Sequence, residues 1–152
     1  MSKKPSAKAK VAPREPASYI LDEQVGFILR QVSQRHTAIF TAAIGASLTT
    51  TQWAALSKLA EAGPCSQNQL GRLTAMDVAT IKGVIDRLTA RGLTETGPDP
   101  RDGRRLLVKL TRAGQAMVEK TAPSALQVTE ETLAPLTAKE RDVFVALLAK
   151  LR

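Results

Sequence analysis

Apolar residues at Leu21, Val25, Ile28, Val32 and Ile39 recur at helical spacing, and Ile20, Leu29, Phe40 and Ile44 widen the stripe. The pattern predicts a first helix from Ser18 to about Ala46. At 1.5 Å per residue it would run about 42 Å, more than a domain of this size covers alone, so it calls for a partner chain. Thr49 and Gln52 have the spacing of a capping box, and Gly63-Pro64 ends the helix they open. Ser66 and Gln69 repeat that spacing ahead of a short third helix with Leu70 and Leu73 on its inner face. A turn at Thr74 to Met76 follows. Asp77 then caps a fourth helix, expected to face inward with Val78, Ile81, Ile85 and Leu88 and to stop at Gly92.

Past Gly92 the pattern changes. Leu93 to Thr96 and Leu106 to Leu110 read as short strands flanking a turn-rich segment, Gly97 to Gly103, which makes an antiparallel hairpin with an exposed tip. Thr111 caps a fifth helix running to about Leu133, which Pro123 is expected to kink or divide. Thr137 and Glu140 open the last helix, whose stripe is Val143, Phe144, Leu147, Leu148 and Leu151. The fold class is therefore mainly α with a small β wing. The third and fourth helices form a helix-turn-helix with the hairpin beside it.

Composition narrows the function. The 152 residues sit near the size of one domain, with 22 Lys and Arg against 14 Asp and Glu, a net +8 that favours a polyanionic partner. Residues 1–17 carry Lys3, Lys4, Lys8, Lys10 and Arg14 against Glu15 alone. They read as a disordered basic arm, either a solubilising tail or a non-specific phosphate contact. The longest apolar runs, such as Val143 to Ala149, fall far short of the roughly 20 residues that span a bilayer, so no membrane partner is expected. No signal-peptide pattern follows the basic start, and one cysteine, Cys65, permits no internal disulfide. Both point to the cytoplasm. One His and one Cys leave no basis for a metal site. No cofactor is expected, and no paired-carboxylate, Ser/His/Asp or phosphate-loop pattern supports an enzyme.

The second helix of a helix-turn-helix lies in the major groove, so its outer face must be polar or small. Here that face is Ala79, Thr80, Lys82, Gly83, Asp86 and Arg87. Thr80 and Lys82 can reach bases or phosphates. Gly83, costing about 1 kcal/mol against Ala in a helix, is either a close-approach residue or simply tolerated. Asp86 and Arg87 either meet the groove or form a solvated pair. The hairpin adds Arg101, Arg104, Arg105, Lys109 and Arg112 against Asp99 and Asp102. An arginine on such a loop can enter a narrow minor groove, and Asp102 can orient Arg104 through a forked hydrogen bond; the alternative is a solvated loop.

The stretches LTTTQWAALSKLAEAG and NQLGRLTAMDVATIKGVIDRLTARGLTETGPDPRDGRRLLVKLTRAG resemble the MarR family of bacterial transcription regulators. Most specific are Asp102-Gly103-Arg104, the V-x-L-T run at Val108 to Thr111, Ala113-Gly114, and Asp86-Arg87-Leu88 with a later G-L. The resemblance implies a homodimer joined through the first, fifth and last helices, setting two recognition helices in successive major grooves of a pseudo-palindrome in double-stranded DNA. It implies a division into a dimerisation helix (18–47), a winged helix-turn-helix lobe (48–112) and C-terminal dimerisation helices (113–152). The candidate DNA contacts are Ser66, Gln67, Ala79, Thr80, Lys82, Gly83, Arg87, Arg101, Asp102, Arg104 and Arg105. The chain departs from the family at Gly103, where the wing often has a second arginine, and at Pro123, in what is usually one continuous helix.

Members of the family commonly release DNA when a small, often aromatic, anionic ligand enters the cleft between dimerisation helices and lobe. Arg35 and His36 fall where the first helix's stripe expects an apolar residue, and an inward cation needs an anion. Either they recognise the carboxylate of an aromatic acid, such as a benzoate or nicotinate derivative, or they make a polar contact with the partner chain or with Asp22 or Glu23. Phe40 and Trp53 could sandwich the ring, and Tyr19 and Thr50 complete the candidate set. Cys65, just ahead of a helix, raises a redox reading through a lowered thiol pKa. The expected function is a ligand-released repressor; the alternative is a ligand-independent architectural or nucleoid-associated protein.

Overall fold

In the computed structural model, which describes residues 18–152, six helices and one hairpin follow each other in the order expected; the basic arm lies outside the described residues. Helix α1 spans Val25–Ile44, shorter at both ends than the expected Ser18 to Ala46. Leu21–Glu23 forms a separate 3-10 turn, and Gln24 is extended, with its side-chain Nε2 donating to the Ile20 carbonyl at 2.8 Å. That bond closes the turn on itself instead of continuing the helix. At the other end Gly45, at φ 74°, stops the helix at Ile44, two residues before the expected end at Ala46.

Helix α2 (Thr50–Ala62) opens on a complete capping box between Thr49 and Gln52 and ends at Gly63. Short α3 (Gln67–Leu73) and α4 (Val78–Ala90) follow, and then the wing, β1 (Thr94–Asp99) antiparallel to β2 (Asp102–Leu110). Their shared core is Leu48, Ala55, Leu56, Leu59, Cys65, Leu70, Ile81, Val84, Ile85, Leu88, Leu93 and Val108. Val78 is absent from it: this residue, expected inside, is exposed, and Val84 takes the inner place instead. Val78 sits in the first turn of α4, one turn ahead of Ile81, where the preceding Thr74–Met76 turn leaves nothing to cover it.

Outside that lobe burial is sparse. Helix α5 (Arg112–Leu133) buries Gly114, Thr121 and Val128, α1 buries Phe40, and α6 (Ala138–Lys150) buries nothing. Val25, Ile28, Leu29 and Val32 on α1, and Val143, Val145, Leu147 and Leu148 on α6, are exposed. Helix α5 is not divided at Pro123. Pro123 and Glu119, whose carbonyl loses its amide donor there, are both exposed, so water can serve the orphaned oxygen.

The start of α5 locks the wing to the lobe. The Thr111 hydroxyl donates to the Gly92 carbonyl at 2.6 Å and accepts from the Gly114 N–H at 3.0 Å, and the Thr111 N–H donates to the Leu93 carbonyl. A Cβ on Gly114 would stand 1.9 Å from that same Leu93 oxygen. Backbone has to move to admit it. Gly114→Ala is therefore expected to lower the unfolding free energy by about 3 kcal/mol, measured by urea denaturation; a drop below about 1 kcal/mol would show that the junction yields easily.

Candidate nucleic-acid interface and effector cleft

Ser66 caps α3, its hydroxyl accepting from the Gln69 N–H at 3.2 Å. The turn after α3 is tight: the Thr74 hydroxyl donates back to the Leu70 carbonyl at 2.6 Å, Met76 N–H reaches the Gly71 carbonyl at 2.9 Å, and Ala75 adopts φ 54°. A left-handed alanine costs roughly 1 kcal/mol or more, which these bonds offset. Gly71 permits the close fit, because a Cβ there would lie 3.1 Å from the Met76 oxygen and 3.2 Å from Ile81. Asp77 Oδ1 then accepts from the Thr80 N–H at 2.7 Å and starts α4.

With Ile81, Val84, Ile85 and Leu88 turned inward, α4 presents Ala79, Thr80, Lys82, Asp86 and Arg87 exposed and Gly83 half-buried. Asp86 pairs with Lys82 at 2.6 Å, one turn away, and not with Arg87. The Arg87 guanidinium lies along the helix over Gly83, 3.5 Å from where a Cβ would be, so alanine fits there without strain. Ser66 and Gln67, half-buried, stand at the opening of α3.

The wing differs from expectation. The strands reach Asp99 and Asp102, so the loop between them is only Pro100-Arg101, and Arg104 and Arg105 belong to β2. Register runs regularly from Thr94 opposite Leu110 to Pro98 opposite Leu106, and then Asp99 pairs with Asp102. Gly103, Arg104 and Arg105 are left over as a three-residue bulge. Pro98 occupies a non-hydrogen-bonded position, its nitrogen facing away from β2, because Val108, two rungs back opposite Thr96, gives both its backbone bonds to Cys65. The missing N–H therefore costs the ladder nothing. Asp102 does not fork to the Arg104 guanidinium as anticipated; its Oδ1 accepts the Arg104 backbone N–H at 3.1 Å, and Asp99 Oδ1 likewise holds the Arg101 N–H at 2.9 Å. The acids shape the turn and leave the cations free. Among the described residues Arg101, Arg104 and Arg105 are exposed and in no ion pair, whereas Lys109 pairs with Glu95 at 3.1 Å.

Cys65 is structural. Its backbone exchanges two hydrogen bonds with Val108, pinning the wing's root to the lobe, and its side chain is buried in the core. Burial pushes the thiol pKa up, opposite to the lowering that a redox role requires.

A separate cleft of about 140 Å³ opens between α1, α2 and α5, lined by His36, Phe40, Thr50, Trp53, Ala125, Val128 and Thr129. Four residues singled out in the sequence meet here. Two others do not: Tyr19 is 76% exposed ahead of α1, and Arg35 points elsewhere. Arg35 donates to the carbonyls of Thr132 (2.7 Å) and Glu131 (3.1 Å), satisfying orphan acceptors in the last turn of α5. His36 Nδ1 meets the Thr132 hydroxyl at 2.9 Å. The polar contact thus lies within the chain, on α5, and not with Asp22 or Glu23. The α5 wall of the cleft was missed, although Ala125, Val128 and Thr129 have the spacing of one helix face.

Comparison with known proteins places this architecture. The family model described as MarR family matches residues 46–105, from the end of α1 into the wing's bulge. The HTH-type transcriptional repressor NicR of Pseudomonas putida is 42% identical over 152 residues, covering 99% of this chain and 95% of that protein. The chain belongs to the MarR family. Among solved structures, a probable transcriptional regulator from Pseudomonas aeruginosa is 56% identical at a TM-score of 0.82, covering 88% of this chain and 100% of that one. Bordetella bronchiseptica BpsR, whose DNA binding is regulated by 6-hydroxynicotinic acid, is 43% identical at a TM-score of 0.84, covering 89% and 97%. Like other members of the MarR family, this chain is a DNA-binding transcription regulator built as a winged helix.

In this MarR-family lobe the cap of α4 titrates. Hydrogen bonds from Thr80 hold the Asp77 carboxyl below its ordinary value of 3.8. A lowered folded-state pKa means that the stabilisation is fully present above 3.8 and fades as pH falls through the lower value. Asp77→Ala is expected to reduce the denaturation midpoint at pH 7, with the gap from wild type closing as pH drops below that range. A gap unchanged by acid would mean that the carboxylate's charge plays no part in the cap.

Proposed function

We propose that the chain is a homodimeric repressor that leaves a pseudo-palindromic operator when an aromatic carboxylic acid of the nicotinate class occupies the cleft. The observation that carries this reading is the cleft itself, a space suited to one ring and bounded by the long helices on one side and the DNA-binding lobe on the other. Phe40 and Trp53 offer aromatic surface to a ring, and His36, with one nitrogen engaged by Thr132, keeps Nε2 for a carboxylate. Thr50 and Thr129 bring hydroxyls for a ring substituent. The 6-hydroxynicotinic acid named for BpsR fits this chemistry. Arg35, occupied with the end of α5, acts as a brace beside the cleft and not as the anion's primary partner.

The dimer reading rests on exposed apolar faces. Val25, Ile28, Leu29 and Val32 of α1 and Val143, Leu147 and Leu148 of α6 have no cover within the chain, and a second copy supplies it. Each protomer then offers α4 to a major groove and the bulged arginines of the wing to the neighbouring minor groove.

Two measurements test the reading. In calorimetry with nicotinate, 6-hydroxynicotinate and benzoate, wild type is expected to bind a ring acid, and His36→Ala to bind it about tenfold more weakly or worse. Equal binding by the two proteins rejects the role of His36, and absence of binding by wild type rejects the ligand class. In DNA titrations across salt, Arg104→Ala should weaken all duplexes alike and lower the log–log salt slope by about 1 for each phosphate that it no longer neutralises. Unaltered affinity and slope would remove the wing from the mechanism.

A further inference from the structure

Val78 is the first residue of α4, a β-branched side chain standing 67% exposed directly after the Asp77 cap. Solvent gains nothing from it there. Asp77, Thr80, Asn68 and Arg72, all exposed, place polar groups around it. It is therefore not part of the apolar faces that α1 and α6 leave open. It borders a largely apolar groove of about 390 Å³ between α3 and α4, walled by Gly71, Met76 and Ile81. Along the helix, Val78, Lys82 and Asp86 lie four residues apart on one flank. The Lys82 ammonium is drawn toward Asp86, away from Val78, so Lys82 does not cover the valine.

We propose that Val78 is a specificity-determining residue that reads the 5-methyl group of a thymine in each operator half-site. The inference rests on the reading of α4 as the helix that enters the major groove, whose N-terminal residues approach base edges. In that groove thymine alone presents a methyl group, and its recognition needs apolar contact, not a hydrogen bond. Ala79 beside Val78 adds a second small apolar group, and Gly71, Met76 and Ile81 wall the groove behind them. Lys82 and Arg87 carry charged contacts on the same helix and Thr80 pairs one γ-methyl with a hydroxyl; Val78 presents the larger purely apolar surface.

The test uses the full-length protein and an operator consensus selected by it from randomised duplexes. Each thymine is replaced in turn by deoxyuridine in both half-sites, which deletes only the methyl group. For wild type, one thymine position is expected to show a loss of about fourfold per half-site, the value of one buried methyl. Val78→Ala should abolish the penalty at that position and leave it unchanged at others, and Val78→Thr, which keeps one γ-methyl, should retain part of it. Because the side chain is exposed, both variants should keep the wild-type thermal midpoint. Identical uridine penalties in wild type and Val78→Ala, or a consensus with no thymine in the half-sites, overturns the proposal while leaving sequence-specific binding intact. Selection that returns no consensus overturns both.

Discussion

Leu56, Leu70, Ile81 and Leu88 are fully buried in one core, and the DNA-facing surfaces of the lobe are held by it. Those side chains come from α2, α3 and α4, so the angle of α4 is set by how they interlock. Fully burying each contributes about 2 kcal/mol. Gly71 and the left-handed Ala75 are what allow α3 and α4 to come close enough for the contact to form. Cys65 and Val108 extend the same core into the wing, which makes the hairpin a rigid projection at its root and leaves only its tip, beyond Pro98, outside the regular ladder.

The other half of the chain follows a different rule. Helices α1, α5 and α6 bury few residues fully, and they meet the lobe through Ile44 of α1, Met117 and Val118 of α5, and the Thr111–Gly114 junction. The long helices form a frame beside the lobe's own core. The cleft lies at that seam, between a wall that belongs to the frame and a wall that belongs to the lobe.

Helix starts were legible because they are local. Thr49, Ser66, Asp77, Thr111 and Thr137 each bond the backbone three residues on, and nothing distant is required. What depends on partners far along the chain was less so. The apolar stripe of α1 runs on through Leu21, but Gln24 turns its side chain back to Ile20 and breaks the helix, an event with no mark in the periodicity. Arg35 looked like an unmatched cation because its partners, Glu131 and Thr132, lie nearly a hundred positions away and offer backbone oxygens that carry no sequence signal. The wing's strands were read short because Gly97, Pro98 and Asp99 have turn chemistry; pairing with β2 overrides it. For the cleft, the polar and aromatic members stood out, whereas Ala125 and Val128 are indistinguishable in sequence from ordinary packing.

A two-stranded ribbon has an open side, and in the wing that side belongs to β1, since Cys65 already takes one rung on β2. Open strands invite other strands, and a regulator crowded onto DNA brings many copies of the same hairpin near one another. Pro98 denies the rung that an incoming strand would need, and the bulge opposite it twists the remaining length away from flatness. The proline thus withholds a donor on the outer edge of β1 while leaving the pairing with β2 untouched.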